Sequence, residues 1–217
     1  MKGRRSQTMA ACAGMVFAVS AAAGQAIHNA YIWIEGPDHV LAPNTTYTLE
    51  VWGRIVSPAY VEGVSMMAGF GIDVLNLAGA DSIVSVSNVS IEFWAEQFGT
   101  LGVVAGYNVL GTSGGQLPFG IVFPPYPPDV RNPIPLFTFD FTTASGPLDE
   151  ISFTAANPNI NGGLFFYPNM WDGASIVAPN DTNTALHLSG WTSVVPAPGS
   201  AILGLVAVGY GLGRRRS

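Results

Sequence analysis

Apolar and polar residues alternate along most of the chain with a period of two, which is the pattern of half-buried β-strands. The clearest runs are YTLEVW at residues 47–52 and FTFDFT at residues 137–142. Shorter runs of the same kind predict further strands, at residues 31–34, 70–75, 83–86, 89–94, 103–110, 151–154 and 186–188. No helical spacers are predicted between them, so the pattern favours an all-β fold.

Turn-forming residues separate these strands at regular intervals. They lie at residues 42–44, 79–81, 111–115, 145–147, 161–163 and 172–173. Residues 123–135 hold six of the sixteen prolines and predict a long extended loop. Many short strands with regular breaks predict a single antiparallel β-sandwich over residues 27–193, a length that is sufficient for one substantial core.

The N-terminal end has a different character. Lys2, Arg4 and Arg5 precede an apolar stretch at residues 9–23 that ends in three alanines. This is the form of a secretory signal peptide, so we expect residues 1–26 to be a signal helix that is removed on export. Cys12 is the one cysteine of the chain and lies in this segment, so the mature protein is expected to hold no disulfide.

The C-terminal segment, residues 194–217, consists of three parts. Pro196 and Pro198 come first, an apolar stretch at residues 201–212 follows, and an arginine cluster at residues 214–216 completes the segment. The apolar stretch is shorter than the ~20 residues that a membrane-spanning helix needs. The arginines should hold the end on the cytoplasmic side during export. We expect an apolar helix that anchors the chain transiently in the inner membrane and is then cleaved. A plain tail anchor that is retained is the alternative.

This order of elements resembles the PEP-CTERM sorting signal of Gram-negative and planctomycete bacteria. The resemblance rests on a short proline motif and an arginine cluster: Val195, Pro196, Ala197, Pro198, Arg214, Arg215 and Arg216. Ala197 stands where the family usually has Glu, which makes this the VPAP-type variant. The resemblance implies export, processing by an exosortase-type enzyme, and attachment at the cell envelope, cell surface or extracellular matrix. It implies no enzymatic activity.

The body of the chain is similar, in the order of its strands, to cohesin-like and carbohydrate-binding sandwiches of secreted bacterial proteins. An opening strand that ends at residues 42–44 leads into residues 47–52. Later strands follow at residues 68–75, 84–90, 136–142 and 151–154. The similarity is one of pattern, so it implies a cohesin-like or jelly-roll-like sandwich and assigns no functional residue.

The charge distribution restricts the possible partners. Between the two end segments there are two basic residues, Arg54 and Arg131, and all fourteen Asp and Glu, which gives the body a net charge of about −12. Such a surface repels nucleic acid and anionic lipid, because both bind basic patches. We therefore expect no nucleic-acid partner.

Two motifs are relevant to catalysis and metal binding. Residues 111–115, GTSGG, fit the G-x-S-x-G pattern around Ser113, but the residues that follow do not start the helix that a nucleophile elbow requires. We interpret the segment as a flexible loop and keep a serine hydrolase as a distant alternative. The Asn-rich segment at residues 157–161 imitates a calcium loop, but Pro168 stands where a bidentate Glu is needed.

A second oxygen-rich segment lies at residues 180–183, and we interpret both segments as turns. His28, His39 and His187 lack the spacing of a zinc site. We therefore expect no metal, no cofactor and no enzymatic activity.

Two tryptophans are candidates for ligand binding. The period of two places Trp52 beside Glu50 and Arg54 on the polar face of its strand, and places Trp94 beside Glu92. Flat aromatic rings with neighbouring carboxylates can stack on sugars, although large side chains also cover strand ends. The main prediction is an exported, non-catalytic protein with a structural or adhesive role. The alternative is a carbohydrate-binding module that uses Trp52 and Trp94 to bind extracellular polysaccharide.

Overall fold

The computed structural model describes residues 28–119, 128–157, 163–173, 175–178 and 184–194. Two short 3-10 helices, Ala80–Ser82 and Phe93–Phe98, interrupt a chain of strands. The described residues form eleven strands: β1 (His28–Glu35), β2 (Thr46–Val56), β3 (Met66–Ala78), β4 (Ile83–Ile91), β5 (Val103–Ala105), β6 (Asn108–Gly115), β7 (Ile134–Thr143), β8 (Ser152–Ala156), β9 (Gly163–Tyr167), β10 (Thr184–Leu188) and β11 (Gly190–Thr192).

The strands form two sheets, and this all-β sandwich is the fold that the alternation predicts. The first sheet has the order β10-β1-β2-β7-β4, and the second has the order β11-β8-β3-β6-β5. Strand β9 pairs with β3 next to β8, along the same edge. All of these strand pairs are antiparallel except β1–β10, which is parallel.

The core lies between the two sheets and is rich in phenylalanine. On β7 the inward positions are Phe137, Phe139 and Phe141, and each is fully buried. From the second sheet, Phe153 approaches Phe139 and Phe141 with ring centroids 5.4 and 5.6 Å apart. A register shift in the β2–β7 pairing, between Val51 and Trp52, accompanies the end of the alternation on β7, where neighbouring Leu136 and Phe137 are both buried. The FTFDFT pattern is therefore confirmed as the inward and outward faces of one strand.

Two of the predicted strands differ from the structure. The strand predicted at residues 89–94 ends at Ile91, because the chain turns there into the second 3-10 helix. The strand predicted at residues 103–110 is two strands, since Gly106 adopts a φ of 63° and reverses the chain between β5 and β6. Two strands were not predicted: β9, which begins at the last residue of the predicted turn at residues 161–163, and the short β11.

The predicted loop at residues 111–115 is instead the second half of β6. Its glycines allow close packing of strands and do not form a turn. A Cβ at Gly115 would lie 2.8 Å from the carbonyl oxygen of Ala68, and one at Gly69 would lie 2.7 Å from the carbonyl oxygen of Gly114. Glycine is therefore needed where β3 and β6 approach each other. In a sequence, glycines placed for close strand packing look the same as the glycines of a turn, which is why a loop was predicted here.

The predicted signal helix and the predicted C-terminal helix lie outside the described residues. Val194, which we assigned to the C-terminal segment, is described and forms a parallel bridge with Val40 at the edge of the sandwich. Among the helices of the described residues, none has the length and hydropathy to cross a membrane.

Tyr60 is a polar group that the core packing leaves unsatisfied. Its ring packs against Phe166 at 5.5 Å, and its buried hydroxyl has no hydrogen-bond partner among the described residues. Burial, and to a smaller extent the negative charges of Asp129 and Glu62, together raise the pKa of Tyr60 to about 12. The folded state therefore favours the neutral phenol more strongly than the unfolded chain does.

Replacing Tyr60 with Phe should make folding stability less sensitive to alkaline pH. An unfolded tyrosine ionises near its ordinary pKa of ~10, so stability from Tyr60 is fully present below that pH and is lost as the pH rises towards 12. Denaturant unfolding at pH 8 and pH 11.5 should show a smaller loss for Tyr60→Phe than for the wild type. Tyr31→Phe, at an exposed tyrosine, is the control. An equal loss in all three proteins would contradict the buried, neutral hydroxyl.

Candidate functional site

The outer face of the first sheet carries an ordered set of aromatic and charged side chains. Strand alternation points Ile32 and Ile34 into the core and sends their neighbours on β1 outward. The pairing register then aligns outward residues from β10, β1 and β2 in rows. We call this surface the outer aromatic face, and it consists of Tyr31, Trp33, Glu35, Glu50, Trp52, Arg54 and His187.

Trp33 and Trp52 form the centre of this face. They are direct partners in the β1–β2 register, with ring centroids 6.3 Å apart and planes 17° from parallel. The indole N–H of Trp33 donates to Glu35 Oε1 at 2.7 Å, and that of Trp52 donates to Glu50 Oε2 at 3.1 Å. Each ring is thus fixed by its cross-strand neighbour and by a carboxylate two residues along its own strand.

A second aromatic pair borders the tryptophans. Tyr31 and His187 stack with centroids 4.6 Å apart and planes 14° from parallel, and His187 Nε2 lies 3.0 Å from Asn29 Oδ1. Arg54 is opposite Tyr31 in the register and is exposed. Among the described residues Arg54 makes no ion pair, whereas Arg131 pairs with Asp129.

The predicted outward position of Trp94 is wrong. Trp94 lies in the 3-10 helix Phe93–Phe98 and is only 3% exposed, whereas its neighbour Phe93 is 49% exposed. The indole N–H of Trp94 donates to the carbonyl oxygen of Pro135 at 2.7 Å, and the ring packs against Phe70. The helical turn after Ile91 reverses the alternation, so Trp94 is a core residue and does not share a surface with Trp52.

Trp33 is the binding candidate that sequence reasoning missed. Residues 31–34 were predicted as a strand, and alternation alone would have placed Trp33 outward between Tyr31 and Glu35. What the sequence does not contain is the β1–β2 register, which makes Trp33 the partner of Trp52.

Replacing Trp94 and Trp52 with alanine should separate the two environments. Trp94→Ala removes a buried ring and should destabilise the fold by ~3–5 kcal/mol. Trp52→Ala removes a half-buried ring from the sheet surface and should cost about 1 kcal/mol or less. Denaturant unfolding measures both, and Trp94→Phe, which keeps an aromatic ring, should lie between them. Equal costs for the two alanine variants would contradict the assignment.

Ser113 does not have the geometry of a nucleophile elbow. It lies within extended strand β6, and its backbone N–H and carbonyl both bond to the backbone of Thr100. A nucleophile elbow instead places its serine in a sharp turn between a strand and a helix.

The contacts given below for the three histidines are with residues other than Ser113. His28 Nδ1 lies 2.6 Å from Ser57 Oγ, which also accepts the backbone N–H of Ala59. The Ser57 hydroxyl therefore stabilises the turn after β2. His187 contacts Asn29, and His39 Nδ1 lies 3.7 Å from Asp38 Oδ1.

The described residues contain no group of three or more His, Cys, Asp or Glu arranged to hold a metal ion. Of the two Asn-rich segments considered for calcium, Asn157 is described, and the rest of residues 157–161 and all of residues 180–183 lie outside the described residues.

Calcium chloride and sodium chloride of matched ionic strength should raise the melting temperature by similar amounts. Two basic side chains against fourteen acidic ones give the body strong self-repulsion, which any salt screens. A specific calcium site would add stabilisation that grows with calcium concentration above its dissociation constant. Thermal melts of the full chain in both salts decide this, and a much larger rise in millimolar calcium would overturn the expectation that the chain has no specific calcium site.

A smaller apolar cluster lies apart from the main core. Met66, Ala68 and Tyr167 are buried there, and Phe119 packs against them. Trp171, in the loop after β9, is 62% exposed and contacts Phe119 with centroids 4.8 Å apart. The described chain thus has an exposed tryptophan away from the outer aromatic face.

Comparison with known proteins identifies similar folds but no family. No protein-family model matches the chain, and no curated protein matches it. Solved structures with similar strand arrangements are cohesin modules. The third ScaC cohesin of Acetivibrio cellulolyticus, solved in complex with the ScaB dockerin, has 7% identity and a TM-score of 0.44, covering 77% of this chain and 99% of that one.

Two further cohesins show the same level of similarity. The seventh ScaB type I cohesin of Pseudobacteroides cellulosolvens has 8% identity and a TM-score of 0.43, covering 79% of this chain and 94% of that one. A type III cohesin from the cell-surface anchoring scaffoldin ScaE of Ruminococcus flavefaciens has 10% identity and a TM-score of 0.44, covering 79% and 91%. The all-β fold of this chain is established by its own sheet order, and no ligand or partner is transferred from these modules.

Proposed function

We propose that the protein is an exported, non-catalytic module of the cell surface or extracellular matrix, with a structural or adhesive role, sorted by a PEP-CTERM-type tail. One observation carries this proposal. Both sheets are built from strands between His28 and Thr192, and the two sequence segments that resemble processing signals lie on either side of them. Removal of both segments would take away none of the described strands.

The geometry at the end of the sandwich is suited to such processing. Ser193 donates its backbone N–H to the carbonyl of Ile151 at 2.8 Å, and its hydroxyl accepts the N–H of the same residue at 2.9 Å. Val194 then bridges to Val40. The proline motif begins at the next residue, so these contacts would hold the end of the body in place while a processing enzyme acts on Val195–Pro198.

Each part of the tail has a proposed role. An exosortase-type enzyme would cut near Pro196 and Pro198, and the apolar stretch at residues 201–212 would anchor the chain transiently in the inner membrane. The arginine cluster at residues 214–216 would stay on the cytoplasmic side. The acidic body favours solubility after release and disfavours nucleic acid as a partner. The strand geometry at Ser113 supports a non-catalytic role.

The native mature protein should lack residues up to about 23–26 and should end near residues 196–200. This follows because the tail's apolar stretch is too short for a stable membrane span. Intact mass spectrometry of the protein from its own cells, together with fractionation into membrane, matrix and medium, measures both ends. A mature product that retains Arg214–Arg216 would reduce the tail to a plain anchor.

Substitution of the arginine cluster tests its proposed role in processing. Replacing Arg214, Arg215 and Arg216 with Gln should leave unprocessed precursor, because nothing then holds the C-terminal end on the cytoplasmic side. Arg131→Gln, which removes one positive charge from the body, should be processed as the wild type is. Equal processing of both variants would contradict the proposed role of the cluster.

A further inference from the structure

We propose that the outer aromatic face binds an uncharged polysaccharide, with Trp33 and Trp52 contacting its pyranose rings and Glu35 and Glu50 accepting hydrogen bonds from its hydroxyl groups. The inference rests on the proposed function in one respect: export would bring the protein into contact with an extracellular polymer. Its starting point is the pair of nearly parallel indole rings, 6.3 Å between centroids, on a sheet face where the neighbouring Glu35 and Glu50 are exposed.

The aromatic rings provide the apolar half of a sugar site. The face of an indole ring is negative and attracts groups with a positive edge, and the C–H groups on one side of a pyranose ring form such a surface. The cross-strand contact and the hydrogen bonds to Glu35 and Glu50 hold both rings in place before any ligand arrives. Binding then costs little side-chain entropy, which favours affinity.

The carboxylates provide the polar half. Glu35 accepts the indole N–H of Trp33 through Oε1, and Glu50 accepts that of Trp52 through Oε2. Among the described residues the second oxygen of each carboxylate has no hydrogen-bond partner, and both glutamates are exposed. A carboxylate is acceptor-only and has several lone pairs, so these oxygens are suited to hydroxyl groups at the edge of a sugar ring lying on the tryptophans.

Charge determines the class of polysaccharide. The rows next to the tryptophans carry Glu35 and Glu50 and then, further along the sheet, Asp140, and the body has a net charge of about −12. A chain of uronic acids or sulfated sugars would be repelled by this field. Arg54 is a single cation at the opposite border of the face, which is insufficient to offset it. An uncharged, hydroxyl-rich polymer avoids the repulsion.

The test measures binding of the full chain, kept in mild detergent, to a panel of polysaccharides. The neutral members are cellulose, xylan, mannan and galactan, and the charged members are alginate and polygalacturonate. Co-sedimentation serves for insoluble polymers, and quenching of indole fluorescence serves for soluble ones. We expect binding to at least one neutral polymer and none to the polyanions. If none of the neutral polymers binds, the proposal is wrong.

Variants then locate the site. Trp33→Ala/Trp52→Ala should weaken binding by about tenfold or more, as loss of an aromatic stacking platform does. Trp171→Ala, which removes a tryptophan from outside the outer aromatic face, is the control and should bind as the wild type does. Glu35→Gln/Glu50→Gln keeps an acceptor for each indole but removes the charge, and should weaken binding several-fold. If Trp171→Ala weakened polysaccharide binding as much as Trp33→Ala/Trp52→Ala does, the assignment of the site to the outer aromatic face would be wrong.

Three further outcomes have a defined meaning. If circular dichroism shows that the double alanine variant is unfolded, Trp33→Phe/Trp52→Phe replaces it and should retain part of the binding, because its phenyl rings can still stack on sugar rings. Complete loss of polysaccharide binding by the folded phenylalanine variant would count against ring stacking. If polyanions alone bind and Arg54→Gln abolishes that binding, the uncharged class is wrong. If the tryptophan variants convert a dimer to a monomer in sedimentation, the face is a self-association surface. The mass of the mature chain is measured separately, so the proposed export and the proposed ligand can fail independently.

Discussion

The packing of the β7 phenylalanines against the second sheet is the interaction on which the rest of the structure depends. Phe137 stacks on Phe70 at 5.9 Å, Phe139 meets Phe153, and Phe141 contacts both Phe153 and Trp191. These contacts join β7 of one sheet to β3, β8 and β11 of the other. Loss of one such ring typically costs ~3–5 kcal/mol, a large part of a domain's net stability, so the sandwich is defined by this aromatic layer.

The same packing determines what appears on the outer face. Because side chains alternate, a slip of one residue in a strand would exchange its buried and exposed sets. Burial of Ile32 and Ile34 therefore keeps Trp33 outward, and burial of Leu49 and Val51 does the same for Trp52. The tryptophan pair has the precision of the core register although it lies on the surface, which is what a preformed binding site requires.

Alternation predicted the all-β fold, both faces of β7 and the outward position of Trp52 because these depend on a local period of two. The errors have a different origin. Trp94 became a core residue through a 3-10 turn after Ile91, which a hydrogen bond to the carbonyl of Pro135 stabilises from a distant strand. Residues 111–115 are strand because β3 approaches them closely at Gly69. Neither contact, nor the register that pairs Trp33 with Trp52, is present in local sequence.

The acidic composition and the outer aromatic face are physically consistent with each other. A body with fourteen carboxylates and no lysine has few means of attaching to anionic surfaces, since one of its two arginines already pairs with Asp129. Under the proposed adhesive role, attachment would come from apolar contact and from hydrogen bonds that carboxylates accept. Ordered aromatic rings beside exposed glutamates supply both at one place. Adhesion by such a chain is therefore expected to depend weakly on salt, in contrast to adhesion through a basic patch.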